Sequence, residues 1–133
     1  MKICFDFDGV IHSSSSPWES VDIIPDKPTK DCRSSLKSIK KLGATIYIHS
    51  TRCHCKKWRN AIRAYMAKNR LEFDIVSEHK PVADFYVADR AVLFEKNWLD
   101  IVELIHRSGK DVKGLEHEKI NEIFAEELEE ADH

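Results

Sequence analysis

Short apolar runs of strand length alternate along this chain with stretches in which apolar residues recur every three or four positions. The apolar runs are rich in aliphatic, β-branched or aromatic residues and predict strands at residues 3–5, 44–49, 73–76 and 84–88. Two stretches with helical spacing predict amphipathic helices, with apolar residues Cys32, Leu36, Ile39 and Leu42 in the first and Trp58, Ile62, Tyr65 and Met66 in the second. Strands that alternate with helices indicate an α/β domain with a parallel sheet.

The rest of the chain predicts a short strand at residues 91–94 and a helix over residues 97–107. The acidic stretch after residue 109 has apolar residues at helical spacing, namely Ile120, Ile123, Phe124 and Leu128. An amphipathic helix of this kind docks its apolar side on the domain or on a second copy of the chain, so a homo-oligomer is one expected arrangement. We therefore divide the chain into a domain at residues 1–108 and an acidic C-terminal helix at residues 109–133.

The composition predicts one soluble domain and no bulk electrostatic partner. The chain has 133 residues, of which 42% are hydrophobic and 33% charged, and its net charge is −2. This balance supports neither a nucleic-acid partner nor an anionic membrane. Cys4, Cys32, Cys53 and Cys55 match no secreted disulfide framework, which favours free thiols and a cytoplasmic location. Zinc is not expected, because Cys53 and Cys55 beside His54 lack a separated second pair of ligands.

Two aspartates follow the first predicted strand, where Asp6 and Asp8 flank Phe7 and precede Gly9. The carboxyl ends of parallel strands form a ligand crevice, and residues two apart on a strand share a side, so both carboxylates are expected there. Such a pair repels itself unless a cation lies between, and Mg²⁺ accepts one or two carboxylates plus a phosphate. An aspartate so placed can also attack phosphorus. The alternative is that both are ordinary turn residues.

A polar segment, Ser50, Thr51 and Arg52, ends the second predicted strand just before a helix. Hydroxyl groups and backbone amides at a strand end provide donors for phosphate oxygens, so this segment is a candidate phosphate-binding site. The alternative is an ordinary helix N-cap by Ser50 or Thr51.

Two more candidate residues come later in the chain. Lys80 precedes a proline, which favours a loop, and its ammonium group there can neutralise a nucleophilic carboxylate and a transferring phosphoryl group. A solvated surface lysine is the alternative. Asp89 ends the last strand of the predicted sheet, so it is expected to converge on Asp6 and Asp8 and complete a Mg²⁺ site.

Taken together, these motifs resemble the haloacid dehalogenase superfamily of phosphotransferases. The segment D-F-D-G-V at residues 6–10 resembles the first motif of the superfamily, and I-H-S-T-R at residues 48–52 resembles the second. The segment K-P-V-A-D-F-Y-V-A-D-R at residues 80–90 resembles the third and fourth motifs. Small members typically have two adjacent aspartates in the last motif, and Ala88 replaces the first here. The resemblance covers residues 2–107 and implies a three-layer, Rossmann-like α/β fold, with helices on both faces of a parallel sheet and no cap domain.

The resemblance also implies a role for each motif residue. The expected catalytic residues are Asp6, Asp8 and Lys80. Phosphate binding is expected from Gly9, Ser50, Thr51, Arg52 and Lys80. The expected Mg²⁺ ligands are Asp6, Asp8 through its main-chain carbonyl, and Asp89. In the superfamily the segment after the first strand covers the active site, so His12 and Trp18 become candidate substrate contacts, although a tryptophan in a loop is often a packing anchor.

These observations predict a Mg²⁺-dependent phosphomonoesterase that acts through an aspartyl-phosphate on a small phosphorylated metabolite, such as a nucleotide or a sugar phosphate. Ala88 and the amphipathic tail leave open a non-catalytic phosphate- or protein-binding module on the same scaffold. A phosphatase that acts on a phosphorylated macromolecule is a further alternative, although no basic stripe supports a nucleic-acid partner.

Overall fold

The computed structural model describes residues 1–20 and 22–108. Met1–Arg90 forms one compact unit, and a second unit begins at Ala91. The first unit contains the strands β1 (Lys2–Asp6), β2 (Thr45–His49), β3 (Ile75–Val76) and β4 (Phe85–Val87). They form one sheet in the order β3-β2-β1-β4, in which every neighbouring pair is parallel. The predicted α/β class with a parallel sheet is therefore confirmed.

The two faces of the sheet differ in polarity at β1 and β2. Along β2, Ile46 and Ile48 are fully buried, and Phe5 on β1 is the register partner of Ile48. These three side chains belong to the main hydrophobic core. Because side chains alternate along a strand, Asp6 and its register partner His49 lie on the opposite face of the sheet.

The first helix, α1 (Cys32–Lys41), packs its apolar side on this core through the buried Leu36. The helix ends at Lys41, and Gly43, just beyond its cap, has a φ of +87°, a left-handed conformation that favours glycine. The predicted apolar stripe is wrong at Leu42, which is 85% exposed. Leu42 follows the last helical turn, so the helical spacing no longer directs its side chain towards the core.

The segment after β2 begins with a 3₁₀ turn, Thr51–His54, before the second helix, α2 (Lys56–Lys68). The predicted stripe on α2 is confirmed by its buried residues, Ile62, Tyr65 and Met66. Together with Cys53 from the 3₁₀ turn, they join the core that β1 and β2 form. The polar residues that end β2 are therefore supported by packing on both sides of the turn.

The outer strands differ from the sequence prediction. β3 has only two residues, Ile75 and Val76. All three residues of β4 are exposed, so the prediction of a buried strand at residues 84–88 is wrong. β4 lies at an edge of the sheet with β1 as its single neighbour, and neither α1 nor α2 packs appreciably on it, whereas α2 covers the other edge strand, β3. The strand predicted at residues 91–94 is absent, since these residues have no regular secondary structure.

The second unit contains α3 (Trp98–Arg107), which confirms the helix predicted over residues 97–107. The predicted amphipathic helix at residues 109–133 lies outside the described residues, so the division into residues 1–108 and 109–133 remains a prediction. Within the described residues, no helix combines the length and the apolar character needed to cross a membrane.

Candidate functional site

The strand order places a topological switch point at β1. From β1 the chain proceeds to β2 and β3 on one side, and β4 then joins the opposite side of β1. In parallel sheets, ligands bind outside the carboxyl ends of the strands at such a point. The segments that follow β1, β2 and β4 carry predicted site residues. This edge of the sheet is therefore the best candidate for a binding site.

Asp89 lies directly against Gly9 at this edge. A methyl group added to Gly9 would place its carbon 2.8 Å from the carboxyl carbon of Asp89, which is far inside van der Waals contact. Gly9 also has a φ of +85°, a conformation that side chains disfavour. Two features therefore require glycine at position 9, namely the positive φ of the turn and the space that the Asp89 carboxylate occupies. The first and last motifs, about 80 residues apart in the sequence, meet at this contact.

Asp6 ends β1 beside His49, its register partner at the end of β2. Burial lowers the pKa of His49 below its ordinary value and outweighs the neighbouring Asp6 carboxylate, which raises it. The ammonium group of Lys80 adds to the lowering, so Asp6 and Lys80 both lie within electrostatic reach of this imidazole. Lys80 is on a loop, as predicted, and its Nζ lies 4.6 Å from the centre of the Tyr86 ring.

Asp8 has different surroundings from Asp6. The strand alternation that predicted both carboxylates on one side stops at Asp6, because β1 ends there and Phe7 begins a turn. The Oδ1 atom of Asp8 lies 2.9 Å from Nδ1 of His12, and its Oδ2 atom lies 2.8 Å from Nε of Arg52. Burial raises the pKa of Asp8, but the hydrogen bonds from Arg52 and His12 outweigh this effect and hold it below its ordinary value. Asp8 is therefore a carboxylate at neutral pH.

His12 supports Asp8 from within the protein. Its side chain is 2% exposed, with the imidazole stacked on Phe7 and met edge-on by Tyr65. The backbone N–H of Asp26 donates to Nε2 at 3.1 Å, so Nε2 carries a lone pair and Nδ1 carries the proton donated to Asp8. The prediction that His12 contacts substrate has no support in this geometry, because its ring is buried.

Arg52 joins Asp8 to the loop that follows β1. We call residues 13–27 the strap, and the structure describes it except for residue 21. The Nη1 atom of Arg52 donates to the carbonyl oxygens of Ser20 and Ile23, at 3.0 and 2.9 Å. Arg52 is only 2% exposed. The predicted phosphate-binding arginine therefore directs these donors to a carboxylate and to the strap.

Ser50 and Thr51, two further predicted phosphate-binding residues, form the start of the 3₁₀ turn. The hydroxyl oxygen of Ser50 accepts a hydrogen bond from the backbone N–H of Arg52 at 2.9 Å, which caps the 3₁₀ turn. This is the N-cap alternative that the sequence left open. Thr51 begins the turn and is exposed.

Trp18, a candidate substrate contact in the strap, covers the Arg52 guanidinium carbon with its ring at 4.1 Å and is 59% exposed.

A magnesium ion at this edge would have an open site with few protein ligands, because the described residues form no closed cage. Within residues 1–20 and 22–108, no three His, Cys, Asp or Glu side chains are grouped as a ready-made metal site. Both oxygens of Asp8 already accept hydrogen bonds, which leaves Asp6 and Asp89 as carboxylates for a metal. Two carboxylates completed by water, a main-chain oxygen and a phosphate suit Mg²⁺, which demands few protein ligands.

Sequence reasoning missed Asp26 and Tyr65 as parts of this arrangement. The backbone N–H of Asp26 fixes His12, and the Tyr65 hydroxyl donates to the Asp26 carbonyl at 2.9 Å. Burial raises the pKa of Tyr65 to about 12, so its hydroxyl keeps its proton as a donor. The helical spacing predicts Tyr65 only as part of the apolar stripe of α2. The structure shows that its hydroxyl also binds the strap through the Asp26 carbonyl.

Comparison with known proteins gives no further assignment: no protein-family model, no curated protein and no solved structure matches this chain.

Proposed function

We propose that this chain is a Mg²⁺-dependent phosphomonoesterase in which Asp6 is the nucleophile. The contact between Asp89 and Gly9 supports this most directly, because it joins the last acidic motif to the first at the switch point of the sheet. The proposal includes a three-layer fold of the haloacid dehalogenase type without a cap domain, for which the all-parallel strand order is support. It also includes a small phosphorylated metabolite as substrate.

The reaction would proceed in two steps. First, a carboxylate oxygen of Asp6 attacks phosphorus while the bond to the leaving oxygen breaks. Asp8, which must first take up a proton from solvent because it is a carboxylate at neutral pH, gives that proton to the leaving oxygen. Next, water attacks the aspartyl-phosphate at phosphorus and returns a proton to Asp8, which releases Asp6 and inorganic phosphate. The ionised state of Asp8 at neutral pH is the state that the second step requires.

Lys80 and a bound Mg²⁺ would stabilise charge during both steps. Asp6, Asp89 and the main-chain carbonyl of Asp8 would hold the ion, the last assigned by resemblance, and Mg²⁺ would offset negative charge on the phosphoryl oxygens. Lys80 would add a mobile positive charge from its exposed loop. The free state of all four cysteines supports a reducing, cytoplasmic location as part of the same proposal.

One observation favours a second candidate, a non-catalytic phosphate- or protein-binding module. Both oxygens of Asp8 accept hydrogen bonds, and its pKa is below the ordinary value. A carboxylate held in this way is a poor proton donor near neutral pH. Together with Ala88 in the last motif, this arrangement is also what a scaffold that binds without turnover would need.

An Asp6→Asn variant separates the two candidates. We expect it to lower Mg²⁺-dependent hydrolysis of an aryl phosphate by more than about 10³-fold, because the amide is not a nucleophile. Circular dichroism and urea unfolding would show an intact fold. Asp74→Asn is the matched control, since Asp74 lies at the opposite end of the sheet next to β3. It is expected to keep the turnover of the folded enzyme.

Two outcomes would contradict the proposal. Full hydrolysis by the Asp6→Asn protein would remove Asp6 as nucleophile. An unmodified protein that binds phosphorylated metabolites in Mg²⁺, but hydrolyses none of them above an EDTA control, would favour the binding module.

A further inference from the structure

Trp18 in the strap combines a contact with the Arg52 guanidinium with a large exposed surface. One face of its indole covers the Arg52 guanidinium, with 4.1 Å between the guanidinium carbon and the ring centre. The residue is nevertheless 59% exposed, whereas a tryptophan that serves only as a packing anchor is mostly covered. The indole therefore offers a flat aromatic surface to solvent from a defined place.

The support beneath the indole is rigid. Arg52 is 2% exposed, and its guanidinium is bound to the Asp8 carboxylate and to the strap carbonyls of Ser20 and Ile23. A side chain held at several points cannot rotate away without losing all of these bonds. An aromatic surface that is already in place loses little conformational entropy when a ligand stacks on it.

The position of this surface relates it to the leaving group of the proposed reaction, and this step rests on the proposed function. Asp8 is the group that protonates the leaving oxygen, so the organic part of the substrate lies on the Asp8 side of the phosphate. Arg52 contacts both Asp8 and Trp18, which puts the indole one side chain away from the Asp8 carboxylate. A ring bonded directly to the leaving oxygen would stay beside Asp8. A base joined to that oxygen through a ribose would extend further, towards Trp18.

We propose that Trp18 is a stacking platform for the base of a nucleoside monophosphate, held in place by the Arg52 guanidinium that also binds Asp8. Every nucleobase has a flat π face, so stacking on an indole favours nucleotides over sugar phosphates without choosing among the bases. The substrate class is thereby narrowed to phosphomonoesters with a planar base one sugar away from the phosphate.

The kinetic test compares adenosine 5′-monophosphate with ribose 5-phosphate, which lacks the base. We expect Trp18→Ala to lower kcat/KM for the nucleotide by about 10-fold and to leave the value for the sugar phosphate within about twofold. Trp18→Phe keeps a flat ring and should retain most of the preference. Trp98→Ala, which removes another exposed indole, is the matched control and should change neither value. An equal loss on both substrates, or no loss on either, would overturn the proposal.

A binding test makes the stacking measurable without turnover. In an Asp6→Asn protein that also carries Trp58→Phe and Trp98→Phe, Trp18 is the single tryptophan of the chain. We expect adenosine monophosphate in Mg²⁺ to change its fluorescence saturably, and ribose 5-phosphate to leave it unchanged. A nucleotide that binds with no fluorescence change, or no nucleotide binding at all, would overturn the platform even if the Trp18→Ala enzyme failed to fold.

The two tests also separate this proposal from the proposed function. Saturable quenching by the nucleotide, with no hydrolysis by the unmodified enzyme, would support the platform and contradict the phosphatase. Hydrolysis of both substrates with equal kcat/KM, and no response of Trp18 fluorescence, would support the phosphatase and overturn the platform.

Discussion

Aspartates occur at both ends of the parallel sheet, and their hydrogen-bond partners differ between the ends. At the amino end, Asp74 precedes β3 and Asp84 precedes β4. Each donates its backbone N–H to a carbonyl on the neighbouring strand, and each carboxylate accepts from the N–H of that same residue, Ile46 for Asp74 and Lys2 for Asp84. These two-way bonds fix the point at which an outer strand joins the centre of the sheet.

The carboxylates at the other end are surrounded by residues from several segments of the chain. Asp8 accepts from Arg52 and His12, and Asp89 lies against the Cα atom of Gly9. Asp6 affects the pKa of His49 on the neighbouring strand. An aspartate whose carboxylate accepts from the amide of the neighbouring strand, as Asp74 and Asp84 do, joins two strands, and Asp74 also accepts from Lys40 Nζ at 2.8 Å. At the strand ends the carboxylates contact residues from several segments, and this is the edge at which parallel sheets bind ligands.

The largest expected effect on stability comes from breaking the ion pair at the carboxyl end. Arg52→Met removes the partner of Asp8 and the bonds to the strap. The pair is partly accessible, with Asp8 27% exposed, so we expect a loss of about 3 kcal/mol in the free energy of unfolding, at the low end for buried pairs. Urea unfolding measures it.

Arg52→Lys is the control for charge, because it keeps the cation and lacks the fork of donors that reaches both Asp8 and the strap. We expect it to recover less than half of the loss. If Arg52→Met were as stable as the unmodified protein, the bonds of Arg52 to Asp8 and to the strap would contribute nothing to stability.

A pair of glycines gives the next largest effect and compares the two ends directly. Gly9 follows β1 and Gly43 precedes β2, and their φ angles are +85° and +87°. Alanine at Gly43 meets no atom within 4 Å, so Gly43→Ala should cost only the backbone strain, about 1–2 kcal/mol. Gly9→Ala should cost the same strain plus at most about 1 kcal/mol, because its methyl group forces the exposed Asp89 carboxylate to turn away.

A double-mutant cycle isolates that collision. Adding Asp89→Ala to Gly9→Ala should remove the extra cost, whereas adding it to Gly43→Ala should have a purely additive effect. If both alanine variants were equally stable and the effect of Asp89→Ala were additive in both, the contact between Asp89 and Gly9 would have no energetic consequence in solution. The support for joining the first and last motifs would then be lost.

Local patterns were sufficient to predict most elements of the fold. β1, β2, α1, α2 and α3 lie where the apolar periodicity indicates, because the side-chain pattern of each element is written in its own residues. The burial of β4 was not predictable in this way. Phe85 and Val87 have the composition of a buried strand, but their exposure depends on which helices cover which strands of the sheet, and that is a non-local property.

The candidate site was predictable in outline and not in its contacts. The motifs indicated that Asp89 belongs near the segment after β1, and Gly9 is where the structure brings them together. The hydrogen bonds of Asp8 were not predictable, because Arg52 is 44 positions away and its direction depends on how the 3₁₀ turn packs. The burial of His12 likewise results from stacking on Phe7 and Tyr65, which no spacing in the sequence reveals.

The smallest expected effect tests the amino end through Asp74. The Ile46 amide, followed by the Lys40 ammonium, holds the pKa of Asp74 below its ordinary value of 3.8. Asp74→Asn keeps an oxygen acceptor and loses the charge, so we expect a loss of about 1 kcal/mol at neutral pH. A carboxyl group whose pKa is depressed by folding stabilises the folded state above its unfolded pKa, and this contribution disappears as the pH falls through the folded pKa.

The difference in the free energy of unfolding between the unmodified protein and Asp74→Asn should therefore be constant above about pH 5 and shrink as the pH falls below about 4. Urea unfolding of the two proteins over this pH range measures it. A difference independent of pH down to about pH 2 would show that the charge of Asp74 contributes nothing. The backbone bond alone would then secure β3, and the two ends of the sheet would differ more sharply than their partners indicate.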